Sequence, residues 1–147
     1  MPLARPGEPA DIAGCVLYLL RDAVYVSGQI SMADGQMIKG KLGADLDAAA
    51  GAAAARHCAI ALLAQLKAAC GGDIDRLQRV VKLTGFVNST ADYTEQPKVI
   101  NGASDFLVEA LGDKGRHSRS AVSAAALPLG VALMGAEALH LRRNILC

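Results

Sequence analysis

The sequence predicts a two-layer α+β domain in which two helices cover one face of a β-sheet. Segments with apolar residues at helical spacing alternate with short runs rich in β-branched residues, in the order β-β-α-β-α-β-β. The chain has 147 residues, of which 52% are hydrophobic, so we treat residues 1–147 as a single domain with its own core. Two helices on one face leave the opposite face uncovered, and a second copy of the chain would cover it.

The N-terminal half begins with β-forming runs and ends in a long helix. Residues 16–20 and Ala23–Ile30 flank a polar pair, which predicts a hairpin. The segment 47–70 predicts a helix, because alanine has the highest helix propensity and Gly71-Gly72 follows the segment. The small and apolar residues that recur on one side of this helix are Ala55, Ala59, Leu62, Leu66 and Ala69.

The C-terminal half contains a strand, a second helix and two further strands. Residues 77–87 predict a well-buried strand, whose apolar residues are Val80, Val81, Leu83, Phe86 and Val87. Pro97 marks the first turn of the next helix and Gly112 marks its end. The apolar side of that helix is predicted to comprise Val99, Ala103, Phe106, Leu107 and Ala110. Predicted strands at 121–126 and 131–139 complete the domain.

Composition and charge argue against several classes of function. A net charge of +1 and an aromatic content of 3% provide neither a basic face nor a base-stacking platform for a nucleic acid. None of the four cysteines lies in a C-x-x-C pair, so we expect free thiols and no metal site. The N-terminal residues do not resemble a signal peptide, and Arg56, His57 and Gln65 interrupt the apolar segment 48–66. We therefore expect a cytoplasmic protein without a membrane span.

Six segments carry a resemblance to a known family. The three longer ones read VVKLTGFVNS at 80–89, QPKVINGAS at 96–104 and GRHSRSAV at 115–122, and the three shorter ones read VSGQI at 26–30, GKLG at 40–43 and LP at 127–128. Together they resemble the Rid family of reactive intermediate deaminases, also called the YjgF family, which includes proteins labelled endoribonuclease L-PSP-like. The resemblance is strongest over 25–133, whereas 1–15 and 139–147 are atypical of the family.

The resemblance implies a chorismate-mutase-like fold and a homotrimer with clefts at the subunit interfaces. In active members of the family, such a cleft hydrolyses reactive 2-imino or enamine acids to 2-keto acids and ammonia. The implied partner is therefore a small carboxylate-bearing metabolite, and no metal or organic cofactor is implied.

The resemblance assigns the catalytic site to Arg119, which matches the family's substrate-binding arginine. A guanidinium offers a planar fork of donors, which can hold a carboxylate through two charge-assisted hydrogen bonds. The other substrate-binding residues that the match implies are Asn101, Ser27, Gly28, Ser120 and Ala121. Ser120 and Ala121 would act through backbone groups, and Arg116 and His117 are interpreted as loop residues that add positive potential.

One position departs from the family and leaves the activity open. The family usually carries a glutamate where this chain has Met134, and a thioether cannot act as a general base. Glu137 would face the other side of a regular strand, unless a bulge at Gly135 shifts the register. The chain is therefore predicted either to hydrolyse imines or to bind carboxylate metabolites without turnover. The third hypothesis is a ribonuclease or translation inhibitor, a label that some members of the family carry.

Overall fold

The structure is a computed structural model that describes the backbone of residues 23–30, 32–33 and 36–141 and, apart from Ala69, the side chains of residues 37–135. Its elements in chain order are β1 (Ala23–Ile30), β2 (Met32–Ala33), β3 (Gln36–Met37), α1 (Ala48–Ala69), β4 (Leu77–Asn88), α2 (Gln96–Leu111), β5 (Ser118–Ala124) and β6 (Leu133–Leu141). Short 3-10 turns lie at Ile74–Arg76, Gly112–Gly115 and Pro128–Gly130. The strand predicted at 16–20 lies outside the described residues.

Four strands form one mixed sheet in the order β1-β6-β4-β5. β4 lies in the interior, antiparallel to β6 and parallel to β5, and β1 pairs antiparallel with β6. β2 and β3 form a separate two-stranded ladder. Because β4 and β5 are parallel neighbours, α2 must cross over the sheet between them, and this crossover brings the helix to the β5 edge.

Both helices lie on the same face of this sheet. Gly85 on β4 pairs with Gly135 on β6. A side chain at Gly85 would overlap Ile100 of α2, and a Cβ atom at Gly135 would meet Cys58 of α1 at 3.3 Å. Because directly paired residues of adjacent strands project to the same face, the two helices share that face. The predicted two-layer α+β arrangement is confirmed.

The helix α1 begins and ends where the sequence predicts. Asp47 precedes it, and the Asp47 carboxylate accepts a hydrogen bond from the Ala50 backbone N–H at 2.7 Å. Gly71 and Gly72 follow it with φ of 69° and 89°, the left-handed conformation that ends many helices. Its buried side consists of Ala54, Ala55, Cys58, Ala59, Leu62 and Leu66. The segment Ala48–Ala68 is long and apolar enough to cross a membrane. The core helices of soluble proteins meet the same criteria of length and composition.

The helix α2 packs closely on α1 at a glycine. A side chain at Gly102 would overlap the backbone carbonyl of Ala52, so the two helices are in backbone contact there. The buried side of α2 consists of Val99, Ile100, Ala103 and Leu107. The prediction was wrong for Ala110, which is exposed because it lines an open groove with Ile60 and Leu63 near the end of the helix pair. Phe106 is only partly buried at the edge of the core.

The last two strands are shifted relative to their predicted bounds. β5 begins at Ser118 rather than at residue 121, and β6 covers Leu133–Leu141 rather than 131–139. β5 follows β4 in unbroken parallel pairing from Ser118 onward, so the neighbouring strand sets its start. Local β-propensity alone could not show this, because strand preferences depend on the cross-strand neighbours.

Phe86 is the residue of β4 whose predicted burial was wrong. Leu83 and Val87 are buried under the helices, whereas the side chain of Phe86 is 40% exposed. Successive side chains of a strand alternate between the two faces, and Phe86 falls on the face that carries no helix among the described residues, which we call the face without helices. A run of apolar residues therefore predicted a strand buried on both faces where the described residues cover only one.

Candidate functional site

Arg119 is held against α2 from the edge of the sheet. It pairs across β5 and β4 with Leu83, which is buried beneath the helices, so its side chain projects toward the helix face. Arg119 Nη1 donates hydrogen bonds to Asn101 Oδ1 at 2.6 Å and to Ser104 Oγ at 3.3 Å. Asn101 and Ser104 lie on one side of α2, because residues at i and i+3 are neighbours on a helix. The structure thus brings together Arg119 and Asn101, two of the predicted site residues.

A second hydrogen bond leads from Ser104 to His117. The Ser104 Oγ lies 3.0 Å from His117 Nε2, and His117 Nδ1 lies 2.6 Å from the carbonyl oxygen of Gly115. A carbonyl oxygen can only accept, so a proton is assigned to Nδ1, and Nε2 is assigned as the acceptor of the Ser104 hydroxyl. Arg119, Ser104, His117 and Gly115 therefore form one chain in which each group donates to the next.

These side chains line an open cleft of about 370 Å³, which we call the Arg119 cleft. Its lining residues are Ser104, Asp105, Val108, Arg116, His117 and Arg119. Arg116 pairs with Asp113 at 3.0 Å, whereas Arg119 forms no ion pair within residues 37–135. Its charge is therefore available to an anion that enters the cleft, through the guanidinium N–H groups that Asn101 and Ser104 do not use.

Within residues 37–135, no group of three or more His, Cys, Asp or Glu side chains could hold a metal ion. The polar groups that line the cleft are the guanidinium groups of Arg119 and Arg116, the His117 imidazole, the Ser104 hydroxyl and the Asp105 carboxylate.

The predicted residues of β5 lie on both sides of the strand. Ser120 pairs with Thr84 and lies on the face without helices, whereas Ala121 pairs with Gly85 and lies on the helix face with Arg119. β5 is an edge strand in the described sheet, so alternate backbone N–H and C=O groups along it point away from the neighbouring strand. Only one of the consecutive residues Ser120 and Ala121 can therefore present its backbone groups at the free edge, and the substrate-binding role of both stays a prediction.

Ser27 and Gly28 lie at the far edge of the sheet. They belong to β1, at the register shift between Val26 and Gln29. β6 and β4 separate β1 from β5. Three strand spacings of about 4.8 Å place the two edges roughly 14 Å apart. One chain does not bring Ser27 and Gly28 to Arg119, so they would reach the cleft only from a second copy.

Met134 lies on the opposite face of the sheet from the Arg119 cleft. It pairs with Phe86, which in turn pairs with Val122 of β5. Phe86 and Val122 are 40% and 42% exposed, and Met134 is half-buried. The three side chains form an apolar row across β5, β4 and β6 on the face without helices.

The register of β6 shows whether Gly135 forms a β-bulge. β6 pairs with β4 without interruption from residue 133 to residue 138, so Gly135 introduces no bulge in this ladder. Glu137 accordingly lies opposite Leu83, the same residue that pairs with Arg119 on the other side of β4.

Ser104 was not predicted from the sequence, and His117 was predicted only as a loop residue that adds positive potential. The available signal for Ser104 was its spacing of three residues from Asn101, which predicts a shared helix side. His117 carried no comparable signal, because its contact with Ser104 joins residues 13 apart through the turn Gly112–Gly115.

Comparison with known proteins identifies the family. A family model described as "YjgF/chorismate mutase-like, putative endoribonuclease" matches residues 8–136. Protein TCP17 of Trypanosoma cruzi is 49% identical over 112 residues, which cover 75% of this chain and 69% of that protein.

Solved structures agree with this assignment. A protein of unknown function from Agrobacterium tumefaciens has 42% identity and a TM-score of 0.80 over 82% of this chain and 78% of its own. A protein described as a "putative endoribonuclease" from Shewanella oneidensis has 35% identity and a TM-score of 0.78 over 82% and 80% of the two chains. The chain therefore belongs to the YjgF/chorismate mutase-like family, as the Rid-family resemblance of its sequence implied.

Proposed function

We propose that this chain binds a small carboxylate-bearing metabolite in the Arg119 cleft and hydrolyses reactive 2-imino or enamine acids to 2-keto acids and ammonia. The observation that carries the proposal is the Arg119 guanidinium, which Asn101 and Ser104 orient over the cleft and which has no carboxylate partner within residues 37–135. The family resemblance supplies the class of reaction, and the geometry supports the binding step.

The binding step follows from the hydrogen bonds of the guanidinium. Asn101 occupies one N–H of Nη1 at 2.6 Å, which fixes the plane of the fork without neutralising its charge. A carboxylate that takes two of the remaining N–H groups gains a fixed pose in the cleft, which Ser104 and His117 also line. Imines hydrolyse spontaneously in water, so positioning supplies much of the acceleration that the site requires.

We also propose the homotrimer that the resemblance implies. The apolar row of Phe86, Val122 and Met134 lies on the face without helices, and a neighbouring copy would bury it. Ser27 and Gly28 of β1 could then approach the Arg119 of a neighbouring copy, since their own chain holds them at the far edge. Sedimentation equilibrium should give three times the mass of one chain, and a monomeric mass would contradict the proposal.

Binding without turnover is the second candidate function. Met134 favours it, because the family usually has a glutamate at this position and a thioether cannot accept a proton from water. Ribonuclease activity has less support, because the net charge of +1 and the low aromatic content provide little for a polyanion to bind.

Calorimetry with pyruvate, a 2-keto acid of the product class, tests the binding step. Arg119→Ala should abolish measurable binding or weaken it at least tenfold, because a hydrogen bond to a charged group contributes about 1.5–3 kcal/mol. Arg116→Ala is the matched control, since Arg116 lines the same cleft but is paired with Asp113. Equal affinity of wild type and Arg119→Ala would overturn the proposal.

Turnover is measured by competition with a trap. An amino-acid oxidase generates the imine from leucine, and semicarbazide converts the imine that escapes hydrolysis into a semicarbazone. Wild type should slow semicarbazone formation and Arg119→Ala should not. If wild type binds pyruvate but leaves semicarbazone formation unchanged, binding without turnover is the correct function.

A further inference from the structure

We infer that Ser104 and His117 form the proton relay of the Arg119 cleft, in which Ser104 contacts the attacking water and His117 takes up its proton. The inference deepens the proposed function and rests on it, because it concerns hydrolysis at the same site. It assigns roles to two residues, and these roles come from their hydrogen bonds.

The direction of the hydrogen bonds supports this assignment. The Gly115 carbonyl, 2.6 Å away, takes the proton of His117 Nδ1, which leaves Nε2 as an acceptor aimed at Ser104 Oγ, 3.0 Å away. Gly115 is buried, and a side chain there would overlap the backbone carbonyl of Leu107 on α2. The acceptor of Nδ1 is therefore part of a closely packed turn, which fixes the orientation and the tautomer of the ring.

Arg119 prepares Ser104 for the same role. Its Nη1 donates to Ser104 Oγ at 3.3 Å, so the oxygen faces a cation on one side and a base on the other. A neighbouring positive charge favours negative charge on the oxygen as its proton moves to His117. A serine hydroxyl alone is a poor base in water. The contacts with Arg119 and His117 lower the barrier to proton transfer through Ser104.

Position 134 and the relay differ in where they lie relative to the Arg119 cleft. A base must lie within hydrogen-bond reach of the water that it activates. Met134 has no basic atom and lies on the face opposite to Arg119, whereas Ser104 and His117 line the cleft in which Arg119 would hold the carboxylate. Ser104 Oγ lies 3.3 Å from Arg119 Nη1, so a water beside a carboxylate held by Arg119 is within reach of the Ser104 hydroxyl.

The proposed step balances as follows. The water oxygen bonds to C2 of the protonated imine, and the C=N electron pair moves to nitrogen. The water proton passes to Ser104 Oγ while the Ser104 proton passes to His117 Nε2. The proton on His117 Nε2 then returns through Ser104 Oγ, which passes a proton to the amine nitrogen. The C–N bond breaks with its electrons on ammonia, and the hydroxyl proton leaves to solvent as the C=O bond forms.

Two variants test the relay, and each has a conservative partner or control. Ser104→Ala removes the hydroxyl, and Ser104→Thr keeps it. His117→Gln can still accept from Ser104 but cannot take up a proton. Ser104→Ala and His117→Gln should lower the apparent kcat of imine hydrolysis about 100-fold, the usual scale for general acid–base catalysis, and Ser104→Thr should recover much of it. The pyruvate affinity of Ser104→Thr and His117→Gln should stay within about threefold of wild type, because both keep Arg119 and the hydroxyl that it contacts.

A pH profile separates proton uptake from a structural role. The apparent kcat of wild type should fall toward acid pH, where a protonated ring no longer accepts, and His117→Gln should lack this acid limb. The charged groups around His117 are Asp105, Asp113, Lys114, Arg116 and Arg119. Asp105→Asn is the control for the carboxylate in the cleft and should keep the limb.

The outcomes distinguish the relay from the proposed function. If Ser104→Ala and His117→Gln hydrolyse the imine at the wild-type rate, the relay is overturned and the proposed function stands. Binding of pyruvate without turnover by wild type overturns the relay and the hydrolysis but keeps the carboxylate site. Failure of wild type to bind or turn over overturns both. Nitrogen NMR of wild type needs no variant: it should show the proton of His117 on Nδ1, and a proton on Nε2 overturns the relay.

Discussion

The two sides of α2 differ in what they contribute to the protein, packing on one side and polar site residues on the other. They also differ in how much substitution they tolerate. The side toward α1 is closed, and Gly102 brings the backbone of α2 into contact with the Ala52 carbonyl. The side toward β5 is open, and there Asn101 and Ser104 reach Arg119 across a cleft. The closed side consists of apolar side chains and a glycine, whereas the open side consists of polar groups within hydrogen-bond distance.

The closed side fixes the geometry of the open side. Gly102 follows Asn101 directly, and the next residue but one is Ser104. Contact of the helix backbone with Ala52 therefore fixes the rotation of α2 at the residues that hold Arg119. A hydrogen bond of 2.6 Å tolerates little displacement of either partner. Changes on the closed side should reduce stability first, and changes on the open side should affect ligand binding and turnover before stability.

Gly102→Ala should have the largest effect and would break the contact between the helices. Alanine stabilises an unconstrained helix by about 1 kcal/mol relative to glycine. Here the added methyl group would overlap a backbone oxygen, which cannot rotate away, and overpacking costs about 1–3 kcal/mol or more. We expect a net loss of about 2 kcal/mol in the free energy of unfolding, measured by urea denaturation.

Ala53→Ser is the control for this prediction. Ala53 is the exposed neighbour of Ala52 on α1. Its substitution should change the free energy of unfolding by less than about 0.5 kcal/mol. A Gly102→Ala variant as stable as wild type would show that the helices leave room for a side chain at this position. The separation between the two sides of α2 would then lose its structural basis.

Arg119→Lys should have a smaller effect, confined to the open side. Lysine keeps the charge but presents a point donor in place of a planar fork, so one of two hydrogen bonds to a carboxylate is lost. The affinity for pyruvate should fall about tenfold, equivalent to about 1.4 kcal/mol. Because Arg119 is exposed, the free energy of unfolding should stay within about 0.5 kcal/mol of wild type. A loss of stability larger than the loss of affinity would contradict the division between the two sides.

The closed side was largely predictable from the sequence, because it depends on local patterns. The bounds of α1 followed from Asp47 and Gly71, which act on their own helix ends. The start of β5 at Ser118 did not follow, because the neighbouring strand sets it. Phe86 was misjudged, because an apolar run does not show which faces of a sheet are covered within one chain.

The open side was predictable only in part. Arg119 and Asn101 were found through the family resemblance, and their contact is a matter of tertiary geometry. The link from Ser104 to His117 depends on how the turn Gly112–Gly115 folds back on α2, and no periodic pattern encodes that fold. Residues of a polar cluster come from separate elements, so each carries little signal of its own.

Glu109→Gln should have the smallest effect on stability. Glu109 lies on α2 at the exposed rim between the closed side and the open side. The hydrogen bond from Arg56, followed by the charge of Arg56, lowers the pKa of Glu109 below its usual 4.5. Arg56 Nη1 lies 2.9 Å from Glu109 Oε2, and the Arg56 guanidinium also contacts the Phe106 ring.

Because the pKa of Glu109 is lower in the folded state, the ionised carboxylate stabilises the fold above the usual pKa. This contribution is lost as the pH falls through the lowered pKa. The melting temperature of wild type should exceed that of Glu109→Gln slightly at about pH 7, and the difference should shrink as the pH falls below 4.5. High salt should narrow the difference at neutral pH, because the pair is exposed. A difference that grows toward acid pH would contradict the prediction.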